Sequence, residues 1–200
     1  MPNRIDPLKI SDTPELEEGF KKIEAILGFV PNSNLIMARH PELLRAFQQL
    51  AVAALAPRKL DRTLKMLVGH MASKASGCGY CIAHTGHVLE SMGLSEDKFQ
   101  AIWEFETSAV FSEAEKAALR VAMGAAQVPN GVTDKDFLEL KKHFDQDQIV
   151  EMLGVISLYG FLNRWNDTLA TELESSPLKF AKTHFLQGDK SYSKHIRESD

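Results

Sequence analysis

The chain has 200 residues, a net charge of −4 and 44% hydrophobic content. That length fits one domain over residues 1–200, burying roughly 70% of its unfolded surface. Without a basic surplus there is no draw toward nucleic acid or an anionic membrane, no apolar run approaches the roughly 18 residues of a membrane helix, and Met1 to Pro7 holds no apolar leader, so a cytoplasmic protein is expected.

Residues 1–12 read as an extended N-terminal arm. Thr13 and Pro14 then predict a helix start, with Leu16, Phe20, Ile23, Ile26 and Leu27 on one face and Gly28 at its end. A short helix over Asn34–Arg39 and a longer one from Pro41 to about Ala54 follow. Asp61 opens the next helix, where Leu64, Leu67, Val68, Met71 and Ala72 form an amphipathic stripe reaching about Ala75. Ser76 and Gly77 break it, and a further helix runs on to about Met92.

Ser95 starts a short helix containing Phe99, Ile102 and Trp103. Ser112 with Glu115 is a capping box for a helix to about Ala126. Thr133, Asp134 and Asp136 start another that ends near Phe144. A last long helix, Gln146 to about Glu174, is apolar nearly all round and is expected to lie centrally. Residues 175–200 are a polar C-terminal tail, either loose or docked on a neighbouring subunit. No stretch alternates like a strand, so the fold class is all-α, with about eight helices.

Reactive side chains concentrate in Gly77-Cys78-Gly79-Tyr80-Cys81-Ile82-Ala83-His84-Thr85-Gly86-His87, which holds both cysteines of the chain. Two cysteines without export signals are no disulfide framework; a CxxC pair in a reducing compartment points to redox catalysis or metal binding. Spacing i, i+3 at a helix N-terminus brings the sulfurs together, and the unpaired N–H groups there favour a thiolate. His84 lies about 60° round from Cys81 and is the best-placed base for it. His87 sits a turn beyond, and Tyr80 could line an entrance.

Zinc would need ligands from elsewhere, because four residues spaced three apart spiral around a helix. No metal and no organic cofactor are therefore expected. The segment Asn163-Arg164-Trp165-Asn166-Asp167 reads first as caps and inter-helix ion pairs. Its alternative reading puts Arg164 or Trp165 over the CxxC.

An all-α chain with an amphipathic helix, then GCxYC and a nearby histidine, resembles the carboxymuconolactone decarboxylase superfamily, and most closely its AhpD-like alkylhydroperoxidase and peroxidase-related branch. That resemblance covers Pro31 to Glu174 and implies an AhpD-like helical bundle and a cysteine-dependent peroxidase of peroxiredoxin type. It implies Cys81 as the peroxidatic thiol, Cys78 as the resolving thiol and His84 as the proton relay. Hydroperoxide would be the substrate, an external thiol or protein the reductant, and the protein a homo-oligomer.

Two positions depart from the family pattern. The family histidine lies four past the second cysteine, where this chain has Thr85. The family glutamate lies twelve before the first cysteine, where this chain has Met66. His70, one turn further along that helix, is a candidate substitute, with Glu90 and Glu106 as others. The resemblance leaves open a carboxymuconolactone decarboxylase-like lyase, and beyond it a non-enzymatic redox-sensing or metal-binding module.

Overall fold

A computed structural model describes residues 3–185 and 192–196. Among them the regular elements are ten α-helices and three 3-10 turns, with no strand. The first helix begins later than Thr13 and Pro14 predict. Residues Ile10–Asp12 and Pro14–Leu16 form 3-10 turns, and α1 is Glu17–Leu27. The Thr13 hydroxyl bonds back to the Ile10 carbonyl at 3.3 Å instead of capping a helix. Gly28, at φ 81°, ends α1 where a side chain would be strained. Then come α2 (Asn32–Met37) and α3 (Pro41–Leu55).

The molecule is built around α4 (Arg62–Ser76), in which every residue from Lys65 to Ser73 is buried. The sequence predicts a single apolar stripe here; packing covers the polar side as well. Lys65 stays in the core by spending its ammonium protons locally. It bonds to the carbonyls of Ala54 and Ala56 at 3.2 and 2.7 Å and pairs with Glu151 at 2.9 Å, as a buried charge must.

Against α4 pack α5 (Gly79–Ser91), α7 (Glu113–Ala125) and α9 (Gln146–Leu169). The shorter α6 (Glu96–Gln100) and α8 (Asp134–Leu140) complete this side. The capping boxes at Ser112–Glu115 and Thr133–Asp136 are both closed.

Two glycines let helices touch. A Cβ on Gly69 would run into the Tyr159 ring of α9, and one on Gly86 into the Phe180 ring. Gly69→Ala is therefore expected to lower stability by about 1–3 kcal/mol, read as a lower midpoint in urea at unchanged slope.

Helix α9 is central as expected but stops at Ala170, short of Glu174. Ala170 takes a left-handed conformation (φ 48°, ψ 46°), one that non-glycine residues rarely adopt. The turn frees Thr171 to Glu174 to run over α5. The arm backs this turn, with the N–H groups of Asn3 and Arg4 bonded to the carbonyls of Ala170 and Leu169 at 2.7 and 2.9 Å.

The tail also departs from expectation. Residues Ser175–His184 form α10, which packs on α5 of the same chain. Beyond it, a 3-10 turn at Ser193–His195 also meets α5. Residues 186–191 and 197–200 lie outside the described residues.

Candidate active site

Gly77 ends α4 at φ 70°, and Cys78 is the N-cap of α5. Cys81 therefore sits in the first turn of α5. Both cysteines are free and buried, 0% and 2% exposed. Cys78 and Cys81 pack in one cluster, and the Asn166 side-chain amide donates to the Cys81 sulfur at 3.6 Å.

A helix start alone favours a thiolate, but burial here outweighs it. Desolvation, then the Cys78 thiol, push the Cys81 thiol well above its ordinary range, with the Asp167 charge adding to them; Asn166 pulls it back. Burial therefore favours the thiol form of Cys81 over the thiolate.

A carboxylate meets the motif histidine from far along the chain. Met66 is a core residue. Glu174, freed by the turn at Ala170, bonds to His84 Nε2 at 2.6 Å, to the Tyr80 hydroxyl at 2.8 Å and to the Asn32 N–H at 2.5 Å. The Tyr80 and His84 rings stack at 4.2 Å, and Phe29 closes the histidine edge-on at 5.6 Å. Burial raises the Glu174 carboxyl's pKa. The His84 charge and hydrogen bond and the backbone N–H groups overcome that and leave it below the usual value. The Tyr80 phenol is pushed well above its normal value by burial and by the facing carboxylate.

The bond at His84 Nε2 goes to Glu174, which ties the motif histidine to this carboxylate.

His70 lies buried on α4 and bonds through Nδ1 to the Thr85 hydroxyl at 2.8 Å; Thr85 in turn donates to the Cys81 carbonyl at 2.7 Å. It thus meets the residue at the family's histidine position, on the backbone side of Cys81. His87 is half-buried beside Glu90 at 4.0 Å, and burial lowers its pKa. Arg164 points outward and bonds to the Gly160 carbonyl at 3.2 Å. Trp165 stacks on Phe161 at 5.9 Å, in the cluster around Phe20 and Leu44. The structure brings neither Arg164 nor Trp165 to the cysteines. Glu106 pairs with Arg120, and Glu90 with His184.

The same five-residue segment of α9 does reach the cysteines, through Asn166 and Asp167. Leu173, Leu178, Ala181, Phe185 and Tyr192 cover the motif. His195, fully buried, lies against Cys78 and Asp167, their ligand-type atoms all within 4.8 Å of one another. These donors come from distant parts of the chain, which is what a metal would need. Lys194, however, is already paired with Asp167 at 2.5 Å. The surface hollows on the helices' other sides are lined by charged residues such as Arg120 and Glu139, or Lys59 and Glu151, and by none of these site residues.

Burial drives His70 down to about 3 and His195 to about 4. Unfolded, both titrate near 6.5, so below that pH the unfolded chain binds more protons than the native one. The protein is expected to lose stability steadily as pH falls from about 6.5 toward 4, by several kcal/mol in all. Glu174, also depressed in the fold, adds a loss in the same direction below about 4.5. Urea midpoints measured across this range check it; a midpoint independent of pH would contradict it.

Residues 41–123 match the model of the carboxymuconolactone decarboxylase family. The debrominase Bmp8, in a complex with 2,3,4-tribromopyrrole, is 33% identical and superposes with a TM-score of 0.85, over 92% of this chain and 98% of Bmp8. A peroxidase-related protein from Silicibacter sp. TM1040 shares the fold, with a TM-score of 0.76 at 18% identity over 87% of this chain and 94% of that one. The protein YnjA of Escherichia coli (strain K12) is 28% identical over 110 residues, 55% of this chain and 60% of YnjA, so the match spans only part of that relative. Among the described residues, no helix is long and apolar enough to cross a membrane. The chain carries a carboxymuconolactone decarboxylase family region over residues 41–123 and belongs to one family with the debrominase Bmp8.

Proposed function

We propose that the protein is a thiol-dependent reductase in which Cys78 and Cys81 pass from dithiol to disulfide while giving two electrons to an electrophilic substrate. The observation that carries this reading is the pair of free thiols packed in one cluster at the start of α5 with Tyr80, whose hydroxyl shares the Glu174 carboxylate with His84.

Two substrate classes suit that chemistry. With a hydroperoxide, the Cys81 thiolate attacks an oxygen and the O–O bond breaks. Alcohol leaves, Cys81 becomes a sulfenic acid, and Cys78 then closes the disulfide as water leaves. With a brominated aromatic, the thiolate takes bromine from carbon, and the ring keeps the bond's electrons and gains a proton. Cys78 then displaces bromide from Cys81. An external thiol restores the dithiol in either case.

Likeness to Bmp8 over nearly its whole length, at 33% identity against 18% for the peroxidase-related protein, favours the brominated pyrrole. The deciding experiment gives the reduced protein one equivalent of a polybrominated pyrrole or of cumene hydroperoxide in parallel. Bromide release with loss of both thiols, faster than peroxide consumption, is expected. Faster peroxide consumption would move the assignment to alkylhydroperoxidase. Thiols that survive an excess of both would refute the reductase reading and leave the lyase, which Cys81→Ser should not disable.

A further inference from the structure

The C-terminal segment carries a histidine to the Cys78 sulfur. His195 Nδ1 lies 2.7 Å from the Thr171 carbonyl. A carbonyl only accepts, so Nδ1 holds the ring proton and Nε2 presents a bare lone pair. That Nε2 is buried and has no hydrogen-bond partner. Other buried polar atoms share that condition, His70 Nε2 among them, but it is the His195 ring that lies beside a cysteine sulfur.

The surroundings of this nitrogen define its task. Cys78 Sγ and an Asp167 carboxylate oxygen share a 4.8 Å neighbourhood with a nitrogen of this ring, and Nε2 stands 3.8 Å from Asp167. Asp167 faces it from α9. Cys78 faces it from α5, with the Tyr80 ring 5.9 Å away and the His84 charge further along that helix. Lys194 is its chain neighbour. Burial keeps the imidazole neutral at ordinary pH, against the pull of Thr171 and Asp167. With Lys194 already on the carboxylate, the trio is set to handle a proton rather than a metal ion.

We propose that His195 is the general base for Cys78 in the disulfide-closing step, a role that rests on the dithiol reading above. As the Cys78 sulfur attacks the Cys81 sulfur, the S–S bond forms and the Cys81–oxygen or Cys81–bromine bond breaks. The leaving group departs with that bond's electrons, as hydroxide, which takes a proton from solvent to become water, or as bromide. The Cys78 proton passes to His195 Nε2, and the imidazolium so formed faces the Asp167 carboxylate. Cys81 is reduced from its oxidised state as the disulfide forms, and no further oxidant is needed.

The test isolates Cys78 in a Cys81→Ser background and follows its alkylation by iodoacetamide from about pH 6 to 9. His195→Gln can still donate to the Thr171 carbonyl. If His195 is the base, the variant slows alkylation at pH 7 by about tenfold or more and shifts the rise in rate to higher pH. If the residue only covers the cysteine, loosening it speeds alkylation. Asp167→Asn, which leaves the tail's backbone bonds in place, is expected to slow it a few-fold. Rates at or above the parent's in both variants overturn the proposal. In the intact motif, His195→Gln should also accumulate a dimedone-reactive Cys81 after one equivalent of hydroperoxide. If the unaltered protein forms no disulfide with either the hydroperoxide or the polybrominated pyrrole, the dithiol reading fails, and the alkylation profile still decides whether His195 serves Cys78.

Discussion

Replacing Cys81 with serine is expected to abolish substrate reduction, by about a thousandfold or more in single turnover. A serine hydroxyl is a far weaker nucleophile than a thiolate and cannot enter a sulfur redox cycle. Cys81 is the cysteine to which the Asn166 amide donates, and that donation favours the thiolate over the buried thiol. The partner substitution separates the steps. Cys78→Ser should complete about one first step per site and then stall with an oxidised Cys81, because no second thiol can close the disulfide. Rapid-quench turnover with a dimedone trap distinguishes the two variants. Multiple turnovers by Cys81→Ser would assign the activity to a non-thiol mechanism.

Glu174→Ala is expected to lower stability by about 3–5 kcal/mol, the cost typical of removing one partner of a buried charged pair. The magnitude follows from what the carboxylate holds. Its oxygens take the Asn32 N–H, the Tyr80 hydroxyl and His84 Nε2, so its loss leaves three part-buried groups without that acceptor. Glu174→Gln keeps an amide oxygen of similar shape and should cost less, but it removes the charge opposite His84. Both variants should slow turnover, Gln chiefly through the lost charge. Thermal midpoints give the first effect, with a fall of about 2–4 °C per kcal/mol for a chain of this size. An unchanged midpoint for Glu174→Ala would show that the network does not bind α2, α5 and the post-α9 segment together.

The scaffold was legible because its signals are local. Gly77 marks the stop of α4, Asp61 its cap, and the pairs Ser112–Glu115 and Thr133–Asp136 the starts of α7 and α8. The CxxC motif named the reactive pair, and α5 begins where the break at Gly77 puts it. The rest of the site had no local signature. Glu174 and His195 stand in polar stretches without periodicity and reach the motif only because α9 stops at Ala170, an alanine in a conformation that glycine usually marks. A search along α4 for a carboxylate could not find one that arrives from far along the chain. Asn166 and Asp167 were visible as a polar interruption in an apolar helix. That pattern more often means packing, and the structure assigns Trp165 to packing and the two residues after it, Asn166 and Asp167, to the site.

The most direct measurement of the central claim is the intact mass of the reduced protein before and after one equivalent of its substrate. Dithiol-to-disulfide cycling predicts a fall of about 2 Da, reversed by a thiol reductant and absent in Cys78→Ser. An unchanged mass with product formed would contradict it.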